Sequence, residues 1–239
     1  MQRLPYVCFA VAFAVPILGQ GPPTSPCLPK MEFAPAVVEN PSHLVTFRCQ
    51  GASPIDLIRA VGFQTRIPIG LVMGQDPDAL SKKARGYDLD RVDAMTALSE
   101  AIEGTGYSIA SEDGITALIA GDLTGYQRKL LKHEFTDFKV GKEETMVSIG
   151  MALTGWLRGF IDPKAGFGGS IASSTNEEWL NLEVPGFATT EEIANQIVRL
   201  DSGGMWIFTA GASPESPLSA TSIDLEPYQH YTNKVIAEH

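Results

Sequence analysis

YDLDRVDAMTALSEAIEGTGYSIASEDGITALIA, residues 87–120, is the stretch whose reading decides the fold. Tyr87 and Leu89 alternate with acids, the period of a half-buried strand. Asp93 follows as an N-cap, and Ala94, Ala97, Leu98, Ala101 and Ile102 form one apolar stripe at helical spacing. Gly104 and Gly106 stop that helix. Residues 107–110 and 115–120 then read as strands around Asp113-Gly114, a dipeptide favoured in two-residue hairpin turns.

Upstream, residues 43–49 alternate, with Val45 and Phe47 on one face of a strand. Ser53-Pro54-Ile55-Asp56 supplies a cap, a proline at the first helical position and a first-turn acid. Ile55, Ile58, Val61 and Gly62 continue as a helical stripe; Pro68 excludes extension, and 67–73 reads as a strand. The order is β-α-β-β-α-β-β.

Downstream the pattern recurs. Residues 135–140 form the strand, with Phe138 in the place of Phe47. Met146, Ile149, Leu153 and Leu157 stripe a helix, and Phe160 and Ile161 are expected to begin a strand. Leu180, Leu182 and Val184 alternate, Thr189 to Glu192 fits a capping box, Ile193 and Ile197 mark a second helix, and 205–209 a strand. A displacement of 95 carries Tyr87, Leu89, Val92, Leu98 and Ile102 onto Leu182, Val184, Phe187, Ile193 and Ile197; the first helices align at 91, with insertion expected at Gly166-Phe167-Gly168-Gly169. The expected fold class is α+β: two tandem βαββαββ modules, 43–121 and 133–210, each with two helices packed on small sheets.

The segment 87–120 resembles the secretin and TonB short N-terminal (STN) domain, through Ala97-Leu98 followed by Gly104-Thr105-Gly106-Tyr107 and the hairpin. The earlier DLIRAVGFQTRIPIGLV, residues 56–72, is similar to that family's first helix and second strand, with Arg66 where the family often has glycine. In 134–210 the Gly-Thr-Gly signature is replaced by Arg199-Leu200-Asp201 and only the pattern persists. The resemblance implies a module for protein–protein contact in the bacterial periplasm. Its partners would be a secretion, pilus or receptor component, and it would reach the outer membrane through such a partner. Only 29 residues follow Ala210, so a free-standing form is expected rather than part of a pore.

The ends have their own character. Arg3, an apolar run from Tyr6 to Leu18 and the small exit Gly19-Gln20-Gly21 have the layout of a secretory signal, assigned to 1–20. At about 20 Å a helix of that run is too short for a bilayer core, so no stable membrane span is expected. Residues 21–42 are a proline-rich leader, and 211–239 read as a flexible tail. In an oxidising compartment Cys27 and Cys49 are a candidate disulfide, the alternative being two free thiols.

The chain has 18 basic and 28 acidic residues, net −10, and no basic cluster, which argues against a nucleic-acid partner. Chemistry is equally sparse. His43, His133, His230 and His239 have no metal-ligand spacing, and His133-Glu134 lacks a second histidine because Asp137 occupies that position. No nucleophile elbow occurs, and the Gly166–Ser170 loop has no phosphate-binding lysine. Catalytic, metal and cofactor residues are therefore expected to be none. Glu143-Glu144 and Glu191-Glu192 suit the first turns of helices. Of Trp156, Trp179 and Trp206, Trp179 beside Asn176-Glu177-Glu178 is the candidate partner contact, at a strand edge. The expectation is a non-enzymatic adaptor protein, the alternative a periplasmic small-ligand or peptidoglycan-binding protein.

Overall fold

A computed structural model describes residues 44–82, 84–140, 145–164, 182–200 and 203–228. These form a mixed α+β protein with five α-helices and three small sheets. The signal and leader expected over 1–42 lie outside the described residues, as does the 166–169 loop. No helix among the described residues is long and apolar enough to cross a membrane.

The first half runs β1 (Leu44–Ala52), α1 (Pro54–Thr65), β2 (Ile69–Val72), β3 (Arg85–Asp93), α2 (Ala94–Ile102), β4 (Tyr107–Glu112) and β5 (Ile115–Ala120). Ser53 and Asp56 close a capping box over the Pro54 start of α1, and the Asp93 carboxylate accepts from Thr96 N–H to cap α2. Arg66, where a glycine was the family expectation, ends α1 at φ 59. Asp113 and Gly114, at φ 50 and 76, are the two left-handed residues of a tight hairpin turn.

The second half runs α3 (Gly125–Leu131), β6 (Glu134–Lys139), α4 (Met146–Ile161), β7 (Glu183–Thr189), α5 (Thr190–Leu200), β8 (Gly204–Thr209) and β9 (Ser222–Pro227). Strand pairing repeats in detail. Phe47 pairs with Leu89 and Phe138 with Val184; Val45 pairs with Val92 and Thr136 with Phe187. Between these pairs lies a bulge, with Arg91 (φ 55) left-handed in one half and its counterpart Gly186 (φ 76), together with Asp137 (φ 52), in the other. Thr46 Oγ1 accepts from Arg91 N–H at 3.2 Å, and Asp137 Oδ1 accepts from Gly186 N–H at 2.8 Å. Even the exposed ion pairs correspond, Arg48–Asp88 at 3.1 Å and Lys139–Glu183 at 3.0 Å.

Helices recur one residue out of step with the strands. Displacement from β1 to β6 is 91, as Phe47 to Phe138, but from the Ser53 cap to the Thr145 cap it is 92. The second helices are related by 96, not 95. Buried Ala94, Ala97, Leu98, Ala101 and Ile102 correspond to buried Thr190, Ile193, Ala194, Ile197 and Val198. The single-shift alignment therefore placed Leu98 on Ile193 when the helix face places it on Ala194.

Two other expectations are corrected. Phe160 and Ile161 continue α4 instead of beginning a strand, because the stripe Ile149, Leu153, Leu157 carries on and the first stop is Pro163. The segment read as a tail from 211 contributes β9, with Ile223, Leu225 and Tyr228 buried. Three inward residues, one of them Pro227, are too few to reveal a strand by periodicity. Strands of both halves meet in one sheet. β2 lies between β5 and β8 in a five-stranded sheet of order β4-β5-β2-β8-β9, parallel to both neighbours.

This shared sheet is covered on both faces, which explains why β2 is buried along its whole length. Ile69, Leu71, Leu118 and Met205 pack with the α1 and α2 stripes, beyond which lie Val45, Phe47 and Tyr87 of the β1–β3 pair. Val72, Trp206, Phe208, Ile223 and Leu225 pack with α4 and α5, and beyond these with Phe135, Phe138 and Val184 of β6–β7. Close approach needs small residues. A Cβ at Gly70 would lie 2.4 Å from the Trp206 ring, and one at Gly62 would lie 2.3 Å from Tyr228 Oη.

Candidate docking surfaces

On the second half, α4 outruns α1 by about one turn, and the extra residues carry Phe160 back over the start of β6. There the His133 and Phe160 rings stack at 3.6 Å, with Phe135 edge-on to His133 at 4.7 Å. Trp156 meets Phe138 and Phe135 edge-on at 5.1 and 5.8 Å. Phe138 is the buried base of this cluster, while Trp156 and Phe160 keep 42% and 40% of their surface in solvent.

Burial holds the His133 imidazole below its ordinary pKa; Lys129 adds to this and Glu134 opposes it. A neutral ring is the form that stacks on Phe160 without desolvating a charge. Beside it Lys132 pairs with Glu191 at 2.5 Å, which raises the ammonium's pKa.

The equivalent site of the first half has different chemistry. Trp156 corresponds to Gln64 at the helix displacement of 92. Gln64 accepts from Thr46 N–H and donates to Thr46 O, both at 2.9 Å, closing the spot with polar bonds. Phe187, on the outer face of β6–β7, corresponds to Val92 and is 76% exposed. The second half thus displays aromatic groups at positions where the same scaffold holds a glutamine or a valine. Large exposed aromatics are characteristic of binding hot spots.

The sheet edges also differ. At β9, Thr154 Oγ1 accepts from Ile223 N–H at 2.9 Å and donates to Ile223 O at 3.3 Å. Arg158 Nε donates to Thr221 O at 2.8 Å, and Pro227 has no N–H to offer. Strand β4 forms the other edge, with Ser108, Ala110, Ser111 and Glu112 exposed.

Trp179 and Cys27 lie outside the described residues. Cys49 is disulfide-bonded. Trp206 is a core residue whose indole N–H donates to Asn195 Oδ1 at 2.8 Å. Glu143 and Glu144 fall outside the described residues, whereas Glu191 and Glu192 occupy the first turn of α5. Thr189 N–H and hydroxyl bonds hold the Glu192 carboxyl below its usual range. The His133–Phe160 stack has no signature in the sequence, where Phe160 suits a strand as well as a helix. The available signal for the cluster was Trp156, which stands off the Ile149-Leu153-Leu157 stripe and so faces outward.

Among the described residues no group of three or more His, Cys, Asp or Glu side chains is arranged to hold a metal ion. No protein-family model, curated protein or solved structure matches the chain.

Proposed function

We propose that this chain is a non-enzymatic docking protein of the bacterial envelope, exported to the periplasm and built from two copies of one STN-like βαββαββ module. The observation that carries the reading is the exposed aromatic surface on one copy, at Trp156 and Phe187, where the other copy of the scaffold holds Gln64 and Val92. Repeated registers, repeated bulges and repeated buried helix faces support a duplication. In the second copy α4 continues through the positions where the second strand of the module would begin. Divergence of surface on a maintained core is what selection for a partner produces, because packing constrains the inside alone.

The partner would be a protein of a secretion, pilus or receptor assembly. The test is affinity capture from envelope extract with intact protein and with a Trp156→Ser/Phe160→Ser variant. One envelope component retained by the first and lost by the second, at unchanged circular dichroism, is the expected result. Equal recovery by both would contradict the reading.

A second reading follows from the His133–Phe160 stack beside Trp156, since sugar rings pack their apolar faces on such groups. Peptidoglycan fragments would then raise the melting temperature of the intact protein and not of the double variant.

A further inference from the structure

We infer that the β4 edge is a docking edge that takes an extended strand of a partner protein in parallel register, a strand flanked by basic residues. The inference rests on the duplicated-module reading and names where and how that module binds.

The first observation lies inside the molecule. The β4–β5 pair runs from Tyr107↔Ala120 to Glu112↔Ile115, and β8–β9 runs from Gly204↔Pro227 to Thr209↔Ser222, the same span of six pairs. Ser111 of β4 therefore corresponds to Phe208 of β8, and Ile109 to Trp206. The outer edge of β8 is occupied: β2 lies along it in parallel, Ile69 opposite Met205 through Val72 opposite Phe208, and Met73 N–H donates to Phe208 O at 2.9 Å. Among the described residues, the corresponding edge of β4 is the end of the sheet.

Hydrogen-bond phase fixes which groups the partner would meet. A two-residue turn at Asp113-Gly114 makes Glu112 and Ile115 a hydrogen-bonded pair. Ser108, Ala110 and Glu112 then bond inward to β5, and the N–H and C=O of Tyr107, Ile109 and Ser111 point outward. These are the counterparts of Gly204, Trp206 and Phe208, and Phe208 is the residue that bonds Met73.

The opposite edge is closed by Thr154, Arg158 and Pro227, so growth of the sheet is blocked at β9, whereas among the described residues no strand covers the outer edge of β4. A second copy of this chain cannot supply the strand in the same manner, because its β2 is already held between β5 and β8. Charge selects the flanks. Glu112 and Asp113 stand at one end of β4, with Arg199 on the Asp113 carbonyl, and Asp122 stands near the Tyr107 phenol at the other together with Asp76, which pairs with Lys82; acids outnumber bases at both ends, in a chain of net −10. A neutral alternating core with lysines at its ends matches that edge.

The probe is a synthetic peptide with the β2 sequence Ile67 to Met73, carrying two added lysines at each end, titrated into the intact protein. Amide exchange is read by NMR and affinity by fluorescence anisotropy. Expected is saturable binding that slows exchange at Tyr107, Ile109 and Ser111. Ser111→Pro removes one outward N–H without touching an inward bond, and should weaken binding about tenfold at an unchanged unfolding midpoint. The same peptide N-methylated at alternate residues is the second control and should not bind. The inference is overturned by no binding, by binding without protection of β4, by indifference to Ser111→Pro, or by protection of β4 through self-association in sedimentation. Protection of the β8 amides separates the outcomes. If they are protected while β4 takes no strand, the edge inference alone fails; if they exchange freely, the duplicated-module reading fails with it.

Discussion

Tyr228 joins the two ends of the described chain at a single residue. Its hydroxyl donates to Ile67 O at 2.8 Å, across 161 positions, while its ring fills the space above Gly62 and Gly203. Tyr228→Phe should cost about 1 kcal/mol and Tyr228→Ala about 3–5 kcal/mol, measured as a lower urea midpoint at constant slope. Gly62→Ala should resemble the larger loss, since its Cβ would require the ring to leave. Gly62 was legible as part of a helical stripe. Its reason was not, because the group it makes room for lies in a segment that reads as a polar tail. His133 gives a pH test. Its folded pKa lies below 6.5, so as pH falls below 6.5 the unfolded chain takes up the proton first and stability declines until the folded pKa is passed. Above 6.5 both states are neutral and the full contribution is present. In His133→Gln the melting temperature should fall less between pH 7 and 5.5 than in the unsubstituted protein.

At the scale of the element, α4 and β9 form the pair that sequence reading most misjudged. Stop and turn signals are local: Pro68 bars extension of α1, Gly104 and Gly106 stop α2, and Asp113-Gly114 turns the hairpin, as the sequence predicts. The continuation of α4 has no such signal, because Phe160 and Ile161 suit either state and only packing on His133 decides between them. β9 is stabilised by contacts with no sequence signature. Thr154 satisfies Ile223 twice, and Arg59 forks onto Glu226 at 2.9 and 2.5 Å. Thr154→Val keeps the shape but leaves Ile223 N–H and C=O unpaired, an expected loss of about 1–3 kcal/mol by chemical denaturation. An Arg59→Ala/Glu226→Ala cycle should give a coupling of about 1 kcal/mol that shrinks in high salt. The candidate docking surface was only half visible in the sequence. Trp156 could be seen to leave the stripe, while the edge asymmetry between β4 and β9 needed the sheet order, which no local pattern encodes.

Across the whole molecule, the repeat was readable because strands and helices keep their buried faces under fixed displacements, and the one-residue step between them was not, since either alignment preserves the helical period. What no pattern reveals is that β2 belongs to both halves. Sharing it sets the first half's strand at the centre of one sheet, with the second half's helices across one face. Native-state hydrogen exchange tests this most directly, at the amides of β5, β2 and β8 as denaturant is raised. The shared sheet predicts one common opening free energy for all three strands, equal to that of global unfolding. Exchange of β8 and β9 through a lower-energy opening that leaves β5 and β2 protected would contradict it.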